Sequence, residues 1–373
     1  MDELKSQRQR LDQLDEHILD LLQQRNRLVG EVAQRKREQR LPVFVASREA
    51  QKSESFRDKA LARGLDPDWA EDFLRMIMSA SRASQSADRF PRSTDTPRRI
   101  LFIGGGGRMG TLFRRFADNS GHITDSIERS DWYRLDQLSA DCDMVIVTVP
   151  IADTIRVIHR LQNRLGPDTV LADFTSNKAE PVAAMLAAHT GPVLGMHPMH
   201  GPDVPNLSKQ LMVICPGRQS EQAEWFVEQC RLWGMRVIER EPEQHDRAMD
   251  LVQGLRHFVA LLHGSFMRRH DLKPADMLDL SSPIYRAELM MTGRIFAQDP
   301  ALYADIVFSS EQRRNLLLAF LEHHEAMAEM VRNNDRDGFI REFEAVTDFF
   351  GEFATQALQE SSYLINRLAE RFS

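Results

Sequence analysis

Over the first ninety residues, apolar positions recur every three or four: Leu11, Leu14, Ile18, Leu21, Leu22, Leu28, Val29 and Val32. That spacing predicts one long amphipathic helix, interrupted only by Gly30. It is expected to reach about Arg40 and to stop at Leu41-Pro42, because a residue before proline avoids the helical region. A second helix is predicted from Ser47, a candidate N-cap, to Gly64, and a third from Asp66-Pro67 to about Gln85. The segment FPRSTDTPRR (90–99) reads as a linker. From 99 to about 240 the pattern changes to short apolar runs separated by helical stretches. Strands are predicted at the run ending LFI before Gly104 and at 122–127, 143–149, 169–174, 192–197, 211–215 and 236–239. Such alternation predicts a mainly parallel sheet with helices on both faces. After residue 243 the strand signals vanish, and helical runs such as 243–270 and 310–332 take over. The expected organisation is an all-α three-helix domain (1–90), a linker (91–98), an α/β Rossmann-type domain (99–240) and an all-α C-terminal domain (241–373).

Composition narrows the class. A chain of 373 residues is too long for one ordinary core, and 42% hydrophobic with 28% charged residues suits a soluble globular protein. No run approaches the about 20 apolar residues of a membrane span, and the start MDELKSQRQR lacks a signal-peptide core, so a cytoplasmic enzyme without membrane contact is expected. Cys142, Cys215 and Cys230 are odd in number and form no CxxC, which points to buried thiols. A net charge of −7 argues against a nucleic-acid partner, although Lys and Arg cluster near the start.

The candidate chemistry begins at LFIGGGGRMG (101–110), where an apolar strand runs into Gly105-x-Gly107-x-x-Gly110 and a helical pattern follows. In a dinucleotide site Gly105 would permit the tight turn, Gly107 the approach of a pyrophosphate, and Gly110 close packing of helix on strand. The helix N-terminus would offer N–H groups to phosphate. The next strand ends at Glu128, where a carboxylate can bind a ribose hydroxyl, so NAD is favoured over NADP. Arg129 beside it could instead accept a 2′-phosphate.

The N-terminal helices carry a second constellation. Arg25 and Lys36 lie within about 20° of one face of an ideal helix and ~16 Å apart along it, close enough to converge on a small anion. Arg8 lies about 25 Å before Arg25 and roughly 100° around the axis, so it can share that ligand only from a partner subunit. Ser81 and Gln85 are an i,i+4 pair on the third helix, and Arg48 and Glu49 open the second. The runs LDQLDEHILDLLQQRNRLVGEVAQRK (11–36), SREA (47–50) and SxxxQ (81–85) resemble the all-helical chorismate mutases. The resemblance implies that Arg8 of the other subunit joins Arg25 and Arg48 on the substrate's carboxylates. It further implies that Lys36 and Gln85 contact the ether oxygen and Glu49 a hydroxyl. Val45 departs from it, standing where some relatives carry Asp.

The remainder resembles the prephenate dehydrogenases through GGGGRMG (104–110), DMVIVTVPI (143–151), DFTSNK (173–178), GMHPMHGP (195–202), QGLRHF (253–258) and SSPIYRAELMMTGRIFAQDPALYADI (281–306). The two resemblances in this order imply the bifunctional chorismate mutase/prephenate dehydrogenases of tyrosine synthesis, homodimeric, NAD-dependent and inhibited by tyrosine. Arg108, Met109, Val149 and Pro150 then join the glycines and Glu128 as expected cofactor contacts. Loss of hydride from C4 and of carbon dioxide from C1 of prephenate is helped by removing the 4-hydroxyl proton, a task suited to a neutral imidazole. His197, at the C-terminal end of the strand PVLGM, is the candidate base. The resemblance implies that Ser176 bonds both histidine and substrate, and that Arg294 binds a substrate carboxylate. Lys178, His257, Arg286, Gln298 and Tyr303 are weaker candidates for the same substrate. His200 departs from the usual Phe. His197 and His200 invite a metal reading, but nothing supplies further ligands, so no metal is expected. Two alternatives remain: an arogenate or cyclohexadienyl dehydrogenase, and a nicotinamide-sensing regulator.

Overall fold

The apolar stripe of the first segment forms the helix α1 (Asp2–Glu38) of the computed structural model, which describes residues 2–85 and 89–372. Its end is turned by Arg40 at φ 52, and the Leu41 amide bonds back to the Lys36 carbonyl at 2.8 Å, just before Pro42. Helix α2 (Ala46–Leu61) starts one residue before the predicted cap, so Ser47 lies inside its first turn. Val45 holds the cap position in extended backbone and offers no side-chain acceptor. Gly64, at φ +70, lets the chain reverse, a conformation costly for any residue with a Cβ. Asp66 Oδ1 then accepts from the Asp68 amide at 2.8 Å as α3 (Pro67–Gln85) begins. Ala60, Ala70, Leu74 and Met78 are buried among these helices.

Seven strands follow: β1 (Arg99–Ile103), β2 (Ile123–Ile127), β3 (Met144–Val147), β4 (Val170–Asp173), β5 (Val193–Pro198), β6 (Leu211–Pro216) and β7 (Arg236–Glu239). They form one sheet in the order β2-β1-β3-β4-β5-β6-β7, parallel except where β5 meets β6. Successive residues of a strand face opposite sides, so β1 sends Ile100 and Phe102 into one core and Leu101 and Ile103 into the other. Burial on both faces explains why these strands read as unbroken apolar runs. All three cysteines are buried as free thiols, as their spacing suggests, and burial pushes the Cys142 thiol up to about 12.

The three helices and the sheet form one compact unit, residues 1–245. The segment after α1 makes the join: Val43 packs against the core that holds Phe102 and Trp233, and its amide bonds to the Leu232 carbonyl at 3.4 Å.

Residues 246–373 form a second, helical unit. Several of its helices begin on capping side chains, Ser282, Asp299, Ser310 and Asp335. A π-helical turn, Asp250–Leu255, is pinned by the buried Arg313, which donates to Asp250 Oδ1 at 2.9 Å and to the Ile306 carbonyl at 2.5 Å. No described helix is long and apolar enough to cross a membrane.

Strand order reverses where β1 lies between β2 and β3, and the glycine loop leaves β1 there for the helix α4 (Arg108–Asn119). A Cβ on Gly110 would stand 2.7 Å from the Gly105 Cα and 3.0 Å from the Gly104 carbonyl oxygen. Backbone cannot yield as a side chain can, so Gly110→Ala should cost about 1–3 kcal/mol and weaken dinucleotide binding. Thermal unfolding and NAD titration of the variant check this; an unchanged midpoint and affinity would show that the helix does not press on the loop.

Candidate active sites

The face of α1 that carries Arg25 and Lys36 turns towards α2 and α3 around a cavity of about 400 Å³. Arg25, Lys36, Arg48, Glu49 and Ser81, all expected to share a ligand, line it together with Lys52, Arg82, Val43, Val45 and Met78. Arg25 Nη1 donates to Ser81 Oγ at 2.5 Å, and that hydroxyl donates to the Ile77 carbonyl at 2.8 Å. Lys36 Nζ donates to the carbonyls of Pro42 and Val43, each at 3.1 Å, so the segment after α1 aims its ammonium. Glu49 accepts from Arg82 through Oε1 and from Lys209 through Oε2 at 2.9 Å. Burial lowers the pKa of Lys36, and Glu49 opposes that shift. Lys52 is lowered by burial and by the neighbouring Arg25 and Arg48, again against Glu49. The cavity thus gathers cations around one carboxylate, a surrounding suited to a small dianion.

Arg8 is exposed on α1 and does not line the cavity, as the helix geometry requires within one chain. Gln85 closes α3, and its side chain lies outside the described residues. Lys52 and Arg82 escaped the sequence analysis. Lys52 lies one helical turn beyond Arg48, so spacing could have placed it on the same face.

The second site lies at the C-terminal edge of the sheet. The tight turn expected at Gly105 is present, closed by the Gly107 amide donating to the Gly104 carbonyl at 3.0 Å, and Gly104, which enters it, is at φ +84, where a Cβ would meet Val149 Cγ1 at 2.8 Å. Gly105 is needed for close packing, its Cβ position lying 2.7 Å from the Phe102 Cβ. Gly107 caps α4, directly after β1. Glu128 follows β2 and accepts from the Gly106 amide at 2.6 Å, so its carboxylate lies against the loop. Met109 packs on the apolar core, exposed Arg108 pairs with Asp203, and Pro150 caps the helix after β3. Arg129, 87% exposed at the side chain, pairs with Asp153 at 2.9 Å. Open backbone at a helix N-terminus beside a carboxylate fits a dinucleotide with an unmodified ribose.

His197 is buried near the end of β5, and its Nδ1 lies 2.8 Å from His245 Nε2. Sequence analysis missed His245, since nothing in the chain marks a contact across 48 positions. His200 stacks near Phe113, and its Nε2 is buried with no hydrogen-bond partner among the described residues. Burial lowers its pKa, keeping the ring neutral. Ser176 follows β4 in a half-buried position. Lys178 does not present its charge to an incoming anion: it is fully buried and donates to Asp173 Oδ2 at 2.5 Å and to the Met196 carbonyl at 2.9 Å. It braces β4 against β5 directly before His197. The described residues hold no cluster of side chains suited to a metal.

Five further candidates lie in the second unit. His257 meets Tyr303 edge to face at 4.8 Å, and burial with Arg256 and Arg313 nearby takes its pKa down to about 4. Burial raises Tyr303, while Arg294 and Arg256 oppose it. Gln298 donates to the Arg294 carbonyl at 3.3 Å. His257 and Arg294 thus lie near Tyr303, with the Arg294 side chain exposed. Arg286, also in this unit, donates to the Leu278 carbonyl at 3.1 Å.

Residues 7–86 match the family Chorismate mutase type II, residues 130–237 the Prephenate dehydrogenase, nucleotide-binding domain, and residues 241–345 the Prephenate dehydrogenase, dimerization domain. The chain is 41% identical over 363 residues to the T-protein of Enterobacter agglomerans, covering 97% of each. It is 38% identical over 367 residues to the T-protein of Haemophilus influenzae, covering 98% of this chain and 97% of that one. The crystal structure of prephenate dehydrogenase from Aquifex aeolicus, in complex with hydroxyphenyl propionate and NAD+, is similar in fold. It has a TM-score of 0.55 at 18% identity over 69% of this chain and 99% of that one. The chain belongs to the T-protein family, in which a chorismate mutase and a prephenate dehydrogenase share one polypeptide.

Proposed function

We propose that the helical cavity turns chorismate into prephenate and that the sheet edge oxidises prephenate to 4-hydroxyphenylpyruvate, with release of carbon dioxide. The observation that carries the first step is the convergence of Arg25, Lys36, Arg48 and Glu49 on one cavity. A pericyclic rearrangement needs neither nucleophile nor proton transfer. The cations fold the substrate by gripping its two carboxylates, and Lys36 meets the negative charge that grows on the ether oxygen as the C–O bond breaks.

For the second step, bound NAD supplies the hydride acceptor for C4. The glycine loop and Glu128 would hold it; His197 takes the 4-hydroxyl proton as hydride leaves C4 and returns it to the phenolate oxygen formed when carbon dioxide leaves C1. A base at His197 Nε2 requires the proton on Nδ1, which would then donate to His245 Nε2, 2.8 Å away. Arg294, exposed on the second unit, is the guanidinium assigned to a prephenate carboxylate. Tyrosine, which carries the phenol and carboxylate of the product, is the proposed feedback inhibitor, and the cytoplasm, where buried thiols stay reduced, is the proposed location. The proposed assembly is a homodimer in which α1 of each subunit supplies Arg8 to its partner. Leu11, Leu14 and Leu21 are 59%, 57% and 63% exposed in the single chain, an apolar stripe in need of cover.

The purified chain should form NADH from chorismate plus NAD, a result that requires both sites. His197→Asn should lower NADH formation by about 10³-fold while chorismate is still consumed. NADH at the normal rate in that variant would remove His197 as the base.

Arg8→Ala and Arg25→Ala should each abolish mutase turnover, and mixing the two should restore part of it, because one of the two cavities in a mixed dimer keeps both arginines. No recovery after verified subunit exchange would rule out the shared site.

Lys36 donates only while protonated. Since burial lowers its pKa, mutase kcat should fall on the alkaline side before the ordinary lysine range is reached. Glu49 opposes the shift, so Glu49→Gln should move that limb to lower pH still, whereas Lys52→Met should leave it in place. A limb that stays put in Glu49→Gln would sever the link between these groups.

A further inference from the structure

The mutase cavity is not closed by its own three helices. Its carboxylate, Glu49, is gripped from two sides: Arg82 of α3 holds Oε1, and Lys209, from the turn before β6, holds Oε2 at 2.9 Å. Lys209 belongs to the sheet-bearing part of the chain, yet its ammonium reaches across to the cavity. It lies 4.9 Å from the centre of the Phe44 ring, between the cavity-lining Val43 and Val45.

The backbone that presents Lys209 is fixed. Its φ is 66, in the left-handed region, and its amide donates to the Gly234 carbonyl at 2.8 Å. Gly234, at φ +87, sits so close to Phe44 that an added Cβ would stand 3.1 Å from the Phe44 Cβ. Two residues earlier, the Leu232 carbonyl accepts from the Val43 amide, and the carbonyl of Val43 is one of the two that aim Lys36.

We propose that Lys209 is a positioning residue of the mutase site, holding Glu49 in the rotamer that faces the substrate, and that the dinucleotide-binding half thereby acts on that site from behind its lining. The assignment rests on the mutase function of the helical cavity. Lys209 is itself 42% exposed at the side chain, so the ion pair adds little to stability. Its effect lies in geometry: without it, Glu49 keeps one partner and can swing towards Lys36, Lys52 or Arg48.

Lys209→Met is compared with wild type in two assays on the full chain, chorismate to prephenate and prephenate plus NAD to NADH. Mutase kcat should fall about tenfold, with KM changed less than threefold, while the dehydrogenase rate stays within twofold. Lys209→Arg should restore most of the mutase rate. In a Glu49→Gln background the substitution should add no further loss, because the group it positions is gone. A mutase rate within twofold of wild type overturns the proposal, as does an equal fall in the Glu49→Gln background. Loss of both activities without recovery in Lys209→Arg also overturns it, since that marks general damage to the fold. Wild-type chain that fails to consume chorismate would instead defeat the mutase function itself, before any variant is compared.

Discussion

Cations brought together in a half-buried space repel one another, and a single carboxylate decides whether they can stay. Arg25, Lys36, Arg48, Lys52 and Arg82 all line the mutase cavity, and Glu49 is its one acidic lining residue. Burial lowers both lysines, and Arg25 and Arg48 lower Lys52 further, so without Glu49 each would be readier to give up its proton. A doubly negative substrate completes the neutralisation that Glu49 begins. The cavity is in this sense built incomplete, with an excess of positive charge that only an anion of the right shape relieves. Its geometry is imposed from outside the helices, by the carbonyls of Pro42 and Val43 on Lys36 and by Lys209 on Glu49.

The dehydrogenase half solves a different problem, the approach of a bulky anion to backbone. Here the decisive feature is missing side-chain volume. Gly104 turns the chain, Gly105 lies against Phe102, and Gly110 lets α4 press on the loop, so the amide groups at the helix start remain accessible. Neighbouring charges are internally satisfied: Lys178 is bound by Asp173 and a main-chain carbonyl, and Arg129 by Asp153. Lys178 in particular converts a buried charge into a brace that fixes the strand bearing His197, a use consistent with the cost of leaving such a charge unpaired.

The fold was legible where a single local rule operates. Three-and-four spacing placed α1; cap, glycine and proline signals placed α2 and α3; alternating elements implied the parallel sheet; and short apolar runs located all seven strands to within a residue or two. What escaped depended on tertiary position. Val45 displaced Ser47 as the start of α2 because cavity packing, not capping, sets that end. The tight turn at Gly105 was legible, but not the left-handed conformation of Gly104, since in a run of four glycines spacing cannot tell which one takes a positive φ. Within the sites, Arg25, Lys36, Arg48, Glu49 and Ser81 were found from helix geometry and resemblance, and the structure gathers them. His245 and Lys209 lie far along the chain from the residues they touch, and no periodicity announces such contacts.

The exposed leucines of α1 leave that helix with an uncovered apolar face. A helix of 37 residues with its apolar stripe turned to water is not a stable end point, and the same helix carries Arg8, which cannot reach the cavity of its own chain. Covering the stripe with a second α1 would serve burial and catalysis together, because the antiparallel pairing that hides the leucines would also carry Arg8 towards the other cavity. A second unpartnered face occurs in the other unit, where Phe339, Phe343 and Phe349 are exposed on the helix Arg336–Phe350, only partly within the segment matching the dimerization domain. Two apolar faces, one on each unit, are thus left uncovered in the single chain. The ion pair between Lys209 and Glu49 would then bind the first of these arrangements to the sheet that holds the nucleotide.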